Sequence, residues 1–523
     1  MAAILDAIGL DFHSQSRESG HVTAPPGAVD VADVTVHRHL SPAATVRLLG
    51  RWHARGPAYA ALADALRAAV LAGTLAPHTR LPSERDLATA LGVSRTTTAA
   101  AYRRLRELGF ARSRTGAGTL VVLPRGGRRR ATGQASGGDA PAPALTATNV
   151  APLDLADLSQ ATSAAPSSLH AAYGRALERL PAYLADGGYE PQGLAVLREA
   201  VAARFTARGT PTSPDEILVT TGGQHAITTL ATTLLGNGDR AVVQSPTYYH
   251  AMESLRRAGA RLVAFPVGRG GTVGAPGFDV ELFESTLRQV SPRLVYLVPD
   301  FHNPTGYTLT PDERAGVRDA AARHRVTVVG DETLTDLSLD TTPDDPADVA
   351  PPLAGDGTSP YLVTVGSASK SFWGGLRVGW VRAHPDLVAR LTRTRQSADI
   401  ATPVLEQLAV VELLEERVTV LAERRRMLRA QRDLLVGLLA DALPAWHVPA
   451  PAGGLSLWVG LDAPVAQAFA ASAAAEGVLV NAGPTFTPDG SAHDRLRLTF
   501  SRSPGDLERA VPLLAAAWRR VAG

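Results

Sequence analysis

The stretch VGSASKSFWGGLRVGW, residues 365–380, contains Lys370, and Lys370 is the only lysine in a chain of 523 residues. The other 51 of the 52 basic residues are arginine. Charge does not explain the exception, because arginine supplies a permanent positive charge wherever one is wanted. Lysine differs in carrying an amine that can lose its proton and attack a carbonyl carbon. One exposed lysine left by drift in an arginine-rich chain is the bland alternative, so the neighbouring sequence has to decide.

Working outward from Lys370, short β-branched runs alternate with helix-capable stretches from residue 153 onward. They are ILVTTGG (217–223), RAVVQSP (240–246), RLVAFPV (261–267), RLVYLVPD (293–300), VTVVGDE (326–332) and the run that ends in Lys370 itself. Alternation of this kind predicts a mainly parallel sheet covered by helices. From about residue 400 a long Leu- and Arg-rich helix leads into GGLSLWVGL (453–461) and DRLRLTFS (494–501), strands of a smaller α+β unit.

Ligands of such sheets bind beyond the carboxyl ends of the strands, and the polar residues of note fall there. Gly222, Gly223 and Gln224 open a helix whose free N–H groups suit an anion. Tyr248 follows the second strand, where a ring can stack or simply pack in the core. Asn303 sits in an NPTG turn. Asp331 ends the VTVVGD run, placed to cap a helix or to pair with a ring nitrogen. Ser367, Ser369 and Lys370 end another strand, and Arg377 follows seven residues later with a fork that fits phosphate. One amine, one anion cup, one ring, one carboxylate and one amide at the ends of one sheet suit pyridoxal 5'-phosphate (PLP), held through a Schiff base.

The rest of the chain reads differently. Between Arg38 and Arg130 there are 17 arginines against four carboxylates, a net charge of +13 that leaves −11 for the remainder of a chain with overall charge +2. Such asymmetry points to nucleic acid as the partner of the basic part. Within it, Leu62, Leu66 and Val70 repeat at helical spacing, and Gly73 and Pro77 end that helix. Ser83 starts a second helix with Leu87 and Leu91 on its apolar face, and Gly92 breaks it. Ser94 caps a third, whose core face carries Tyr102 and Leu105 and continues to Leu108. FARSRTGAGTLVV (110–122) then reads as a two-stranded wing. In a helix-turn-helix the start of the second helix enters the major groove. Arg95, Thr96 and Thr97, behind their cap Ser94, are therefore the candidate base or phosphate contacts, flanked by Arg85, Arg112 and Arg114.

The expected organisation is an N-terminal arm (1–37), a winged helix-turn-helix (38–123), a Gly-, Ala-, Pro- and Arg-rich linker (124–150) and an α/β body (151–523). No cysteine is present, which excludes disulfides and thiolate metal sites; no metal site is expected. The first twenty residues lack the pattern of a signal peptide, and no long apolar run predicts a membrane span, so a cytoplasmic protein is expected.

LPSERDLATALGVSRTTTAAAYRRLRELGF (81–110) resembles the winged helix of the GntR regulators, with Thr98 where many members carry valine. The body resembles the fold type I aminotransferases in YEPQGLAVLREAVA (189–202), the NPTG turn, the SxSK lysine with Arg377, and RLRLTF (495–500). Fused, the two resemble the MocR regulators. The resemblance implies that Lys370 forms the internal aldimine, Asp331 pairs with the pyridine nitrogen, Asn303 bonds the cofactor hydroxyl and Tyr248 stacks on the ring. It implies that Gly223, Gln224, Ser367, Ser369 and Arg377 hold the phosphate and that Tyr189 reaches the phosphate in the partner subunit of a homodimer. Arg497, with Arg495 as runner-up, would bind a substrate or effector carboxylate. Thr333 and Leu334 stand where many relatives place a tyrosine after the aspartate, which points away from efficient transamination. The expectation is a DNA-binding regulator of operator DNA that senses PLP or an amino compound through aldimine formation. A catalytically active aminotransferase with a DNA-binding appendage is the alternative, and a structural binder with a relic pocket the third reading.

Overall fold

The structure is a computed structural model. It describes residues 39–50, 52, 57–71, 74–75, 79–114, 118–122, 156–267, 277–340 and 350–522. The expected arm, the linker, Gly73, Pro77, the wing tip at 115–117 and the side chain of Arg114 lie outside the described residues.

The basic part folds as α1 (Pro42–Leu49), α2 (Ala58–Leu71), α3 (Glu84–Leu91), α4 (Arg95–Glu107) and the hairpin of β1 (Ala111–Arg114) and β2 (Gly118–Val121). Ser83 and Ser94 cap α3 and α4, their hydroxyls accepting from the N–H of Asp86 and Thr97, each at 3.1 Å. Both serines satisfy donors that a helix start leaves unpaired. Gly92, at φ 67°, makes the left-handed turn between the two helices. Leu62, Leu66, Leu87, Tyr102 and Leu105 are buried together. Leu108 is not: α4 ends at Glu107 and Leu108 is exposed, so the expected apolar face stops a residue earlier than the periodicity predicts. Thr98 is buried, and its hydroxyl donates to Glu84 O at 2.8 Å and Arg95 O at 3.0 Å. A valine there would fill the space without tying α3 to α4.

The body begins with β3 (Ala156–Asp157) and then builds a seven-stranded sheet. Its strands are β4 (Ile217–Thr220), β5 (Arg240–Ser245), β6 (Arg261–Pro266), β7 (Leu294–Leu297), β8 (Thr327–Asp331), β9 (Leu362–Ser367) and β10 (Gly379–Arg382). The order is β4-β10-β9-β8-β7-β5-β6. All pairings are parallel except those of β10, which runs antiparallel to both β4 and β9. The six runs read from the sequence are all strands; β10 is the one the sequence reading leaves out. Helices bury both faces, with Leu230, Met252 and Leu391 on one side and Phe283, Leu287 and Val317 on the other.

The smaller unit carries a three-stranded sheet of β11 (Ser456–Gly460), β14 (Arg495–Thr499) and β13 (Asn481–Ala482), while β12 (Val478–Leu479) pairs in parallel with β3. Its core joins Leu428, Leu435 and Leu439 of the helix Arg417–Ala442 to Leu457, Phe469 and Leu498. It also takes in Ala156 and Leu158, so the first described residues of the body close onto its last unit. The helix Val404–Glu415 packs instead with Leu197, Val201 and Phe205 beside β4. Among the described residues no helix is long and apolar enough to cross a membrane.

Replacing Ser94 by alanine is expected to weaken the start of α4 by about 1 kcal/mol. Amide exchange at Thr97 in the full-length protein should quicken about fivefold, with exchange across β4–β10 unchanged.

Candidate functional site

The ends of β4, β9 and β10 determine where Lys370 lies. β4 ends at Thr220, and Gly222, at φ 90°, turns the chain into the helix Gly223–Leu234. β9 ends at Ser367, whose hydroxyl accepts from Ser369 N at 3.1 Å and turns the strand into the short helix that carries Lys370. Because β10 is antiparallel, it starts where its neighbours finish, and Gly379 pairs with both Thr220 and Ser367. A Cβ on Gly379 would lie 2.6 Å from Gly222 C and 2.8 Å from Gly223 N, so only glycine lets the three backbones meet. Arg377, just ahead of β10, thereby reaches the same point and donates to Thr221 O at 3.0 Å.

A cleft of about 250 Å³ opens there. Gly223, Gln224, Tyr248, Asn303 and Asp331 line it, with Ser367, Ser369, Lys370, Arg377 and Arg497. Ten of the residues singled out in the body thus share one cavity, although they span more than 270 positions of sequence. Tyr189 is not among them; its side chain stands 71 % exposed. Arg495 is not either. It pairs across to Gly460 at the far end of β14 and lies 3.4 Å from Asp494, whereas Arg497 lines the cleft.

Burial governs the electrostatics. The Lys370 amine donates to Ala161 O at 2.8 Å. Its pKa is lowered to about 8, chiefly by burial, with the Arg497 charge adding to the effect and Asp331 opposing it. Arg497 is itself brought down to about 10 by burial, so its guanidinium stays charged at neutral pH. It donates to Ser159 O and, at 3.2 Å, to Asn303 Oδ1, and lies 4.9 Å from the centre of the Phe486 ring. Among the described residues the buried Ser369 Oγ, Gln224 Oε1 and Arg497 Nε have no hydrogen-bond partner. Buried polar atoms without partners are uncommon, and three around one cleft mark it as built to receive a polar ligand.

Asp331 reveals a residue the sequence reading missed. Tyr296, buried on the neighbouring strand β7, donates its phenol to Asp331 Oδ2 at 2.6 Å, while Thr333 N donates to Oδ1 at 3.1 Å. Burial and the adjacent carboxylate push the Tyr296 phenol well above its usual pKa, so it stays protonated and donates. In sequence Tyr296 is one apolar position of RLVYLVPD; only the parallel register, which sets Tyr296 beside Val329, brings it within reach. The acids that follow are anchored too. Glu332 pairs with Arg208 at 3.1 Å, and Asp336 pairs with Arg204 and accepts from Ser371 Oγ at 2.6 Å, one residue beyond Lys370. Thr333 and Leu334 line the cleft and bring no phenol to it, although Tyr248 and Tyr249 reach it from the next helix.

In the N-terminal part Arg85, Ser94, Arg95, Thr96 and Arg112 are exposed, and Thr97 is half-buried. The hydroxyl of Ser94 also bonds Thr96 Oγ1 at 2.7 Å and Thr97 Oγ1 at 2.8 Å. The start of α4 therefore presents Arg95 and a linked set of hydroxyls to solvent.

Residues 186–514 match the family "Aminotransferase class I and II", and residues 58–121 match "Bacterial regulatory proteins, gntR family". The chain belongs to the aminotransferase class I and II family, in its MocR-type, regulator-fused form. Over 484 residues this MocR-type chain is 29 % identical to the uncharacterized HTH-type transcriptional regulator YisV of Bacillus subtilis (strain 168), covering 86 % of this chain and 94 % of that protein. It is also 29 % identical to the probable rhizopine catabolism regulatory protein MocR of Rhizobium meliloti, over 75 % of this chain and 78 % of the other. Among solved structures it is similar to LysN, the alpha-aminoadipate aminotransferase of Thermus thermophilus, complexed with N-(5'-phosphopyridoxyl)-L-leucine. There the TM-score is 0.62 at 27 % identity, covering 70 % of this chain and 93 % of that one. Fold type I body and GntR-type helix-turn-helix are thus both established for this MocR-type regulator.

Tyr296→Phe leaves a buried carboxylate oxygen without its donor, and is expected to destabilise the large unit by about 1–3 kcal/mol. Urea denaturation followed by the fluorescence of Trp380, on the same sheet, measures it.

Proposed function

We propose that the cleft binds PLP at Lys370 and that its occupancy by PLP or by an amine or amino-acid effector alters how the winged helix binds operator DNA. The observation that carries the reading is the sole lysine of the chain, brought near neutral pKa at the base of a cleft that also holds an anion cup. The residues fit the cofactor. The N–H groups of Gly223 and Gln224 at a helix start, the unpartnered Ser369 hydroxyl, Ser367 and Arg377 suit its phosphate. Asp331, held by Tyr296, suits its ring nitrogen; Asn303 suits its hydroxyl, and Tyr248 one face of the ring.

PLP, when bound, supplies an electrophilic aldehyde carbon conjugated to an electron-withdrawing ring. The chain's own residues do the rest. Lys370 offers an amine that gives up its proton near pH 8 rather than near 10.5, Arg497 attracts a carboxylate, and the polar cup fixes the orientation. Thr333 and Leu334, neither of them a phenol, stand where many relatives place a tyrosine, which favours binding and sensing over turnover. Arg85, Ser94, Arg95, Thr96, Thr97, Arg112 and Arg114 are proposed to meet DNA, with Arg95 the base-reading candidate. Leu184, 68 % exposed, and Leu177, 53 % exposed, stand close in sequence to exposed Tyr189. Apolar exposure on that scale supports a homodimer that completes each phosphate site with the Tyr189 of its partner. A cytoplasmic location fits these partners.

Reduction by borohydride after incubation with PLP tests the core of this reading. The adduct should map to Lys370, the one ε-amine of the chain, and its yield is followed on the Lys370 peptide, separately from the α-amine, whose pKa is also about 8. Its formation should rise with pH as the amine loses its proton, half-maximal near 8 where a solvent lysine would be near 10.5. A midpoint near 10.5 would contradict the buried amine. Lys370→Ala should abolish the adduct and remove any effect of PLP on binding to DNA fragments selected by the full-length protein.

A further inference from the structure

Residues 156–164, ADLSQATSA, are the first described residues of the body, and they form a strap held mostly by its carbonyl oxygens, with Ala156 N and Leu158 N donating to Gly477 O and Leu479 O. Arg502 donates to Asp157 O at 2.5 Å, Gln160 O at 2.8 Å and Thr162 O at 2.9 Å. Asn481 Nδ2 donates to Ser159 O at 2.7 Å, Thr499 N to Leu158 O at 2.9 Å and Arg424 to Ala164 O at 2.8 Å. Most of these donors belong to the small unit, and none of them needs to change when a ligand enters the cleft.

Two further contacts differ. Ser159 O also accepts from Arg497, and Ala161 O accepts from Lys370. Those are the two cations that the proposed function assigns to a ligand's carboxylate and to its amine chemistry. No other donor is recorded for Ala161 O among the described residues. Gln160, Ala161 and Thr162 line the cleft, so a ligand seated there lies against the strap.

We propose that this strap is the element that reports occupancy of the cleft, and that it responds to the carboxylate of the ligand seated there. The carboxylate competes with Ser159 O for Arg497, whereas PLP on Lys370 withdraws the donor of Ala161 O and an amine that displaces Lys370 from PLP gives that donor back. A ligand that lacks the carboxylate leaves the Arg497–Ser159 contact in place. The consequence travels along the chain, because the strap continues N-terminally into the linker, the one covalent path to the winged helix. The inference rests on the reading of the cleft given above and adds to it the ligand class and the segment that moves.

The test uses the full-length protein and three probes: PLP, N-(5'-phosphopyridoxyl)-L-leucine, and the matching phosphopyridoxyl conjugate of isoamylamine, which lacks the carboxylate. Binding is measured by equilibrium dialysis and amide exchange by mass spectrometry. Exchange across residues 158–164 should be at least threefold faster with the leucine conjugate than with the isoamylamine conjugate. Arg502→Gln, which removes the Arg502 bonds to Asp157 O, Gln160 O and Thr162 O without changing a side chain that lines the cleft, should give fast exchange without any probe. It should also shift the affinity for selected DNA to that of the conjugate-bound wild type. Equal or slower exchange with the leucine conjugate while it binds overturns the strap but leaves the cleft reading intact. Failure of all three probes to bind overturns the cleft reading and the strap with it. Fast exchange in Arg502→Gln with unchanged DNA affinity overturns the link to the winged helix.

Discussion

Three backbones meet at Gly379, and the site follows from that meeting. A parallel sheet delivers the ends of its strands to one edge, but neighbouring ends stay a strand spacing apart. Inserting one antiparallel strand changes the geometry, because its start is flush with the ends on either side. β10 begins between Thr220 and Ser367, and its glycine lets the Gly222–Gly223 turn close onto it. The helix start, the serine turn that carries Lys370, and Arg377 are brought together by one strand reversal. Gly366 contributes the same way on the other face: a Cβ there would lie 2.1 Å from the indole nitrogen of Trp380, so the strand carrying Lys370 packs directly on that ring.

The acidic loop after β8 is the second constraint. Four residues separate Asp331 from Asp336, and each acid from Asp331 to Asp336 is matched by a partner drawn from a different element. Tyr296 comes from the adjacent strand, Arg208 and Arg204 from the end of the helix Ala195–Ala207, and Ser371 from the helix of Lys370. Asp300 adds a link, accepting from the Thr335 hydroxyl while paired with buried Arg314. Buried charges without such partners would cost several kcal/mol each. With them, the carboxylate facing the cleft and the amine facing it are tied to one network, so neither can move without disturbing the other's supports.

This explains what the sequence disclosed and what it withheld. Local chemistry was legible: the caps Ser83 and Ser94, the Gly92 turn, the six strand runs, and the polar residues at their ends. Lys370 and Arg377 could be associated from spacing alone because a single turn separates them. Tyr296 could not, since its partner lies 35 positions away and meets it only through the register of β7 on β8. β10 escaped notice because GWVR offers only four residues and follows a glycine-rich turn that reads as loop. Leu108 was misjudged because helical periodicity carries no information on where the helix stops. The choice between Arg495 and Arg497 was a question of strand register, which a run of alternating residues leaves open by construction.

The charge division limits how the two modules can communicate. The basic part carries +13 and the remainder −11, so DNA phosphates attract the first and repel the second. The basic charge sits with the part that carries α1–α4 and the wing. Direct electrostatic influence of the body on that surface fades beyond about 8 Å at physiological salt. On the proposed reading, a signal from the cleft is mechanical, passed along the chain or through the proposed pairing of two copies. The strap between Ala156 and Ala164 is the first segment of the body met on leaving the linker, and it is also the segment that touches Lys370 and Arg497. A chain that attached the same modules in the opposite order would have no such contact to use.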